Sequence, residues 1–199
     1  MDFDALAEAV AKRLFIPLEA SGRHVHLTQE QAIALFGHRL TPKRELSQPG
    51  QFLANERVTI IGPKGEFSGV AVLGPERQEG QVEVSLTDCR QLGLNPPVRL
   101  SGQLIKTPGI QIKSDTGSIQ LQRGVIIAQR HIHISPQDAV AMGLQDKQMV
   151  RVQTFTNRPV TFHSVMVRVH PEFETAMHID YDEANACGFQ PGDLGRVLQ

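Results

Sequence analysis

Four of the chain's eight histidines stand in two copies of one phrase, Arg23-His24-Val25-His26-Leu27-Thr28 and Arg130-His131-Ile132-His133-Ile134-Ser135. In an extended strand alternate side chains share a face, so both imidazoles of each copy project together. A buried ring nitrogen needs a partner, and two neutral imidazoles side by side make a metal-ligand pair more naturally than a core pair. The competing reading, histidines hydrogen-bonded at strand ends, accounts for one copy better than for two.

The elements around these phrases repeat as well. Four segments follow the order strand, capping residue, short helix, glycine: Thr28 to Gly37, Ser85 to Gly93, Ser135 to Gly143 and Asp180 to Gly188. Each begins with a good N-cap and carries Gln31, Asp88, Asp138 or Glu183 three residues later, close to a capping box. Pro136 takes the favoured first helical position. Each ends on a glycine suited to a left-handed residue after the helix. Two residues before the caps stand His26, Glu83, His133 and His178; four before stand His24, Gln81, His131 and Ala176. Every unit therefore places a ligand-type residue on the equivalent face of the strand that leads into its helix. If the units pack with pseudo-symmetry, His24, His26, Glu83, His131, His133 and His178 converge. Six ligands suit two open zinc centres of three protein ligands each better than one closed centre.

The remaining polar residues divide less sharply. His38, His163 and His170 fall outside the repeated positions and read as surface or loop residues. Arg23 and Arg130 point to the strand face opposite the histidines, where pairing with acids is expected. Arg77 lies after the turn Gly74-Pro75 and just upstream of Glu83. A guanidinium there can grip an anion held at the metals, although spacing alone favours a solvated arginine. Cys187 aligns with Met142 and Leu92 in the repeated helices and reads as a core residue. Cys89 has no motif around it.

Bulk properties bound the class. With 199 residues, 40% of them hydrophobic, the chain can bury one core or two small ones. A net charge of −1 argues against a nucleic-acid or polybasic membrane surface. Two cysteines far apart fit a reducing cytoplasmic setting. No apolar run approaches the length that spans a bilayer, and no secretory signal opens the chain. With Trp absent, one Tyr, 17 Gly and 12 Pro among short Val/Ile/Leu runs, many short strands are expected: a mainly β chain with short helices, a β-rich α+β class. Phe3, Leu6, Val10 and Leu14 form an apolar stripe that predicts an N-terminal helix over 1–14, either docked or partner-binding. Asp115-Thr116-Gly117 sits in an expected hairpin; an aspartic-protease reading needs a second, facing carboxylate loop, which the chain does not supply.

Four phrases taken together resemble the PduL-type phosphate acyltransferases. They are Ser21-Gly22-Arg23-His24-Val25-His26-Leu27, Gly74-Pro75-Glu76-Arg77 with Gln81-Val82-Glu83-Val84-Ser85, Arg130-His131-Ile132-His133-Ile134-Ser135, and Met177-His178-Ile179-Asp180 with Asp182-Glu183-Ala184-Asn185-Ala186. They run in order over nearly the whole chain. Many members carry Ser-Asn-Arg-His where this chain has Ser21-Gly22-Arg23-His24. The resemblance implies two β-barrels capped by short helices, one from residues 15–22 plus 129–199 and one from residues 23–128. It implies reversible conversion of acyl-CoA, propanoyl or acetyl, and phosphate to acyl phosphate and coenzyme A, at a site with two Zn2+ per chain. His24, His26, Glu83, His131, His133 and His178 match its metal ligands, and Arg77 its phosphate-binding arginine. Residues 1–14 occupy the place of an encapsulation peptide, so the microcompartment lumen, with shell or lumen proteins as partners, stands beside the free cytoplasm. A homodimer is expected from base rates.

The expected chemistry is direct attack of phosphate on the thioester, with no acyl-enzyme. Two rivals remain at this stage. A metal-dependent thioester hydrolase would ignore phosphate. A non-catalytic module stapled by zinc would unfold on chelation.

Overall fold

The computed structural model describes residue 3 and residues 14–198. The expected N-terminal helix over 1–14 lies, apart from Phe3 and Leu14, outside the described residues. The chain is mostly β and divides into two compact units. One comprises Gly22–Ala128; the other joins the segment ending at Ser21 to the segment that starts at Gln129.

The Gly22–Ala128 unit carries nine strands and two helices. In order they are β2 (His24–His26), helix α1 (Gln29–Phe36), β3 (Pro42–Glu45), β4 (Phe52–Ile61), β5 (Glu66–Gly74), β6 (Gln81–Glu83), helix α2 (Leu86–Leu92), β7 (Val98–Arg99), β8 (Ile110–Lys113), β9 (Ser118–Leu121) and β10 (Val125–Ala128). They form one sheet in the order β7-β10-β6-β2-β5-β4-β8-β9, with β3 added on β4, curved as a half-barrel. Val25 and Val82 within β2 and β6, and Leu27 and Val84 just after them, enter its core with Leu35, Ile60 and Leu92.

The other unit is a closed six-stranded barrel, β1-β14-β11-β13-β12-β15. Its strands are β1 (Ile16–Ser21), β11 (His131–Ile134), β12 (Met149–Phe155), β13 (Thr161–Val169), β14 (Ala176–Asp180) and β15 (Leu194–Leu198). Helices α3 (Pro136–Met142) and α4 (Tyr181–Cys187) follow β11 and β14. Ile132, Ile134, Met177 and Ile179 fill the core with Ile16, Val152 and Val167.

The repeat of the sequence becomes the symmetry within each unit. β2 runs antiparallel to β6 with His24 opposite Glu83 and His26 opposite Gln81. β11 runs antiparallel to β14 with His131 opposite His178 and His133 opposite Ala176. Each helix is capped by the residue expected of it, Thr28, Ser85, Ser135 or Asp180, and each ends on a left-handed glycine, Gly37, Gly93, Gly143 or Gly188. Such a cap contributes about 1 kcal/mol. The capping box closes in α1, α2 and α4. In α3 the Asp138 carboxylate instead accepts the Thr175 hydroxyl at 2.5 Å.

That exception belongs to a rule that ties the paired repeats together. The residue five before each cap meets the third helical residue of the partner repeat. Arg23 Nη2 donates to Asp88 at 2.7 Å, and its guanidinium lies 4.1 Å over the Phe67 ring. Arg130 Nη1 donates to Glu183 at 2.5 Å and sits over Phe162. Thr175 takes Asp138, and at the fourth position Gly80 approaches Gln31 so closely that a Cβ would stand 2.5 Å from Gln31 Oε1. Arg23 and Arg130 thus serve as structural pairs with acids on the face away from the histidines. The Asp-Thr-Gly segment has a local task too. Ser114 and Thr116 hydroxyls both donate to the Leu35 carbonyl, at 2.5 and 2.6 Å, and so satisfy the C-terminal end of α1.

Candidate metal centres

Two groups of ligand-type side chains form, one in each unit: His24, His26 and Glu83, and His131, His133 and His178. Within each group the candidate donor atoms lie within 4.8 Å of one another. The antiparallel register explains the composition. Two residues before the cap on one strand face four before on the other, so each strand pair offers four positions. Three carry ligand-type side chains and the fourth, Gln81 or Ala176, does not.

In the Gly22–Ala128 unit the donor set is nearly sealed, with His24 6%, His26 2% and Glu83 9% exposed. His24 Nδ1 faces the Gly22 carbonyl at 2.9 Å, and His26 Nδ1 faces the Leu73 carbonyl at 3.2 Å. A carbonyl only accepts, so each ring in its neutral form keeps its proton on Nδ1 and presents Nε2 as a lone pair. Those two Nε2 atoms stand 3.2 Å apart, and Glu83 Oε2 is 3.6 Å from His24 Nε2. Three such atoms converging on one buried point need positive charge between them, which a proton on His24 or a metal ion supplies. Backbone carbonyls that orient the imidazoles are the usual outer partners of metal-bound histidine. The residues fit a divalent metal of zinc type.

Electrostatics agree. Burial pushes the His24 imidazolium down, but the Glu83 carboxylate and the Gly22 carbonyl outweigh it and leave its pKa raised. Burial, then the charges of His24 and Arg77, hold His26 well below the ordinary histidine value. For Glu83, burial alone would raise the pKa; the charges of His24 and His26 and hydrogen bonds from His24 and Ser101 hold it far below the carboxylate range. Glu83 is thus an anion ready for a metal, beside a neutral His26. Arg77, half-buried after β5, acts on both imidazoles, and its Nη1 donates to Ser101 Oγ at 2.9 Å.

In the barrel unit the set is three imidazoles. His131 Nδ1 faces the Gln129 carbonyl at 2.8 Å, at the position equivalent to Gly22, so its Nε2 is again the donor. The ring stacks on His178 at 5.2 Å, and His133 lies 4.7 Å from His178. His178 Nδ1 is 3.7 Å from Glu19 Oε2, the residue directly opposite it on β1. A carboxylate behind a histidine raises its basicity as a ligand. Phe173 stacks on His133 at 4.0 Å, and Arg168 Nη1 approaches His133 Nε2 at 3.3 Å. This donor set contains no carboxylate, whereas the other includes the Glu83 anion.

His38, His163 and His170 are exposed, and both cysteines are buried. Burial pushes the Cys187 thiol up, the opposite of an activated nucleophile. Ser101, Glu19, Arg168 and Phe173 carry no motif that marks them in the sequence. Glu19 is found only through its register against His178, and Ser101 only through a turn that no periodicity announces.

A family model described as phosphate propanoyltransferase matches residues 17–190. Proteins named phosphate propanoyltransferase are similar over almost the full length. That of Enterococcus faecalis is 48% identical over 202 residues, covering 98% of this chain and 96% of its own. That of Clostridioides difficile is 49% identical over 192 residues, covering 96% and 92%. That of Thermotoga maritima is 49% identical over 182 residues, covering 90% and 87%.

Proposed function

This chain belongs to the phosphate propanoyltransferase family of acyltransferases, and from that premise we propose how its residues divide the work. The reaction converts an acyl-CoA, propanoyl or acetyl, and phosphate to acyl phosphate and coenzyme A, reversibly. The observation that carries the reading is the pair of three-donor groups, each with its candidate donor atoms within 4.8 Å of one another and each one ligand short of a closed four-ligand centre. His24, His26 and Glu83 would hold one Zn2+, and His131, His133 and His178 the other. When bound, these ions supply Lewis acidity that offsets the charge of phosphate and of the developing oxyanion.

The chain's own groups do the rest. Arg77 presents a planar fork of N–H donors suited to two phosphate oxygens, and it stands beside His24 and His26. Held there, a phosphate oxygen attacks the thioester carbonyl carbon. The C–O bond forms, the C–S bond breaks, and coenzyme A leaves as a thiolate that takes a proton from solvent. Fixing the phosphate in line with the acyl group is where most of the rate arises. No cysteine stands ready to form an acyl-enzyme, so transfer is direct. The same reading sets the protein in the cytoplasm or a microcompartment lumen, as a homodimer, with residues 1–14 as the candidate encapsulation peptide.

The test is thiol release from propanoyl-CoA and acetyl-CoA, with and without phosphate, before and after chelation. Release that requires both phosphate and metal is expected, and the ratio of the two rates gives the acyl preference. Metal-dependent release indifferent to phosphate makes the protein a thioester hydrolase, and no release leaves zinc a structural staple.

A further inference from the structure

Behind Glu83 and Arg77 lies a closed set of hydrogen bonds that joins the two. Gln81 is 1% exposed and occupies the non-ligating fourth position opposite His26. Its carbonyl oxygen accepts the Gly102 N–H at 2.7 Å, which fixes the amide so that its NH2 points the other way. One of those hydrogens goes to Glu83 Oε1 at 2.5 Å and the other to Ser101 Oγ at 2.8 Å. Ser101 Oγ also accepts from Arg77 Nη1 at 2.9 Å, and its own hydroxyl proton is directed at Glu83. Gly102 makes this possible by holding φ at +91°, a conformation costly for any other residue, in the turn that carries Ser101.

The donor and acceptor count closes. Both lone pairs of Ser101 are taken, by a cation-bearing donor and by an amide, so its single proton has one direction left. Gln81 uses both hydrogens and its oxygen. With Glu83 Oε1 engaged by Gln81, Oε2 is the oxygen turned to the imidazoles, 3.6 Å from His24 Nε2. A buried network in which every member is satisfied is rigid, and loss of one member strands the others together.

We propose that Ser101, oriented by Gln81, is a positioning residue that sets the metal-ligand carboxylate Glu83 and the phosphate-gripping Arg77 in one fixed relation. The proposal rests on the reading of Arg77 and of the metal centres given above. It adds that phosphate grip and metal affinity in the Gly22–Ala128 unit share a single hydroxyl. The barrel unit has no counterpart, because the position equivalent to Gln81 is Ala176.

Ser101→Ala and Ser101→Thr separate this role from packing. Folding is checked first by circular dichroism and thermal melting. Zinc is then titrated against a chromophoric chelator, which needs no turnover, and initial rates are measured with phosphate and thioester varied in turn. In Ser101→Ala one of the two zinc equivalents is expected to weaken by about 10–100-fold while the other holds. The phosphate KM is expected to rise by about 10-fold or more, as for loss of a hydrogen bond to a charged group, with the thioester KM within about 3-fold. Ser101→Thr restores the hydroxyl and both properties. The proposal is overturned if Ser101→Ala leaves zinc affinity and phosphate KM unchanged. It is equally overturned if both substrates' KM values rise together with zinc unaltered, or if Ser101→Thr is as impaired as Ser101→Ala. Wild-type thiol release that ignores phosphate would sink the reading of Arg77 instead, and the zinc titration would still decide the Glu83 half.

Discussion

His24→Ala and His131→Ala substitute equivalent positions in the two units, and each is expected to remove one zinc equivalent and leave the other. The ligand sets share no residue, since His24 acts with His26 and Glu83 while His131 acts with His133 and His178. A structural zinc site of four ligands is worth roughly 10–16 kcal/mol, or about 3 kcal/mol per ligand, so losing one weakens binding about 100-fold. With free zinc buffered about 10-fold above the wild-type dissociation constant, each wild-type centre is about nine-tenths filled and a substituted one about one-tenth. Zinc measured by atomic emission then falls from about two to about one per chain. The filled centre stabilises its unit by about 1.4 kcal/mol at that zinc level. In a unit of roughly this size that corresponds to about 6–11 °C of melting temperature, which chelation removes from the intact centre only. Independence of the two centres is refuted if either substitution empties both, and their ligand sets are refuted if both variants still carry two zinc ions per chain at the same buffered level.

Three further outcomes follow from the side chains outside the donor sets. Arg23→Ala strands Asp88, 7% exposed at its side chain, and is expected to cost about 1–3 kcal/mol by urea unfolding; removing Asp88 as well recovers part of it, and strictly additive losses would deny the coupling. Glu76 is held below the usual carboxylate range by its hydrogen bonds with Arg39, burial opposing. The stability this contributes is fully present above the unfolded value near 4.5 and is lost as pH falls through the depressed folded value, so Glu76→Gln should flatten the acid limb of the stability profile. An unchanged acid limb would show that the pair adds nothing. Cys89→Ala and Cys187→Ala are expected to destabilise the core while leaving turnover per folded molecule within about 3-fold, and a trapped acyl-cysteine at either would overturn direct transfer.

What was legible in the sequence, and what was not, separates along one physical line. Whatever depends on local chemistry repeated in register could be read: four N-caps, four terminal glycines, and ligand-type residues two and four places before each cap. Repetition does the work there, because a single His-x-His is ambiguous whereas its recurrence at a constant offset from a helix start is not. Arg23 and Arg130 were assigned to the opposite strand face by alternation alone, and Asp88 and Glu183 meet them there. Features set by contacts between distant segments left no such trace. Closure of one sheet into a barrel depends on β1 pairing with both β14 and β15, and nothing in Ile16–Ser21 announces two partners. Glu19 behind His178 follows from that pairing. Ser101 follows from a turn whose neighbours, Gln81 and Arg77, lie 20 and 24 residues away in sequence. The line also runs through the sites themselves. The candidate metal ligands descend from the repeated unit and are visible in it, while the residues that make the two donor sets differ, Gln81 with Ser101 in one and Glu19, Arg168 and Phe173 in the other, stand where the repeat is broken. Repeated units can supply two like donor sets. An acyl transfer needs its two substrates held differently, and only departures from the symmetry can supply that difference.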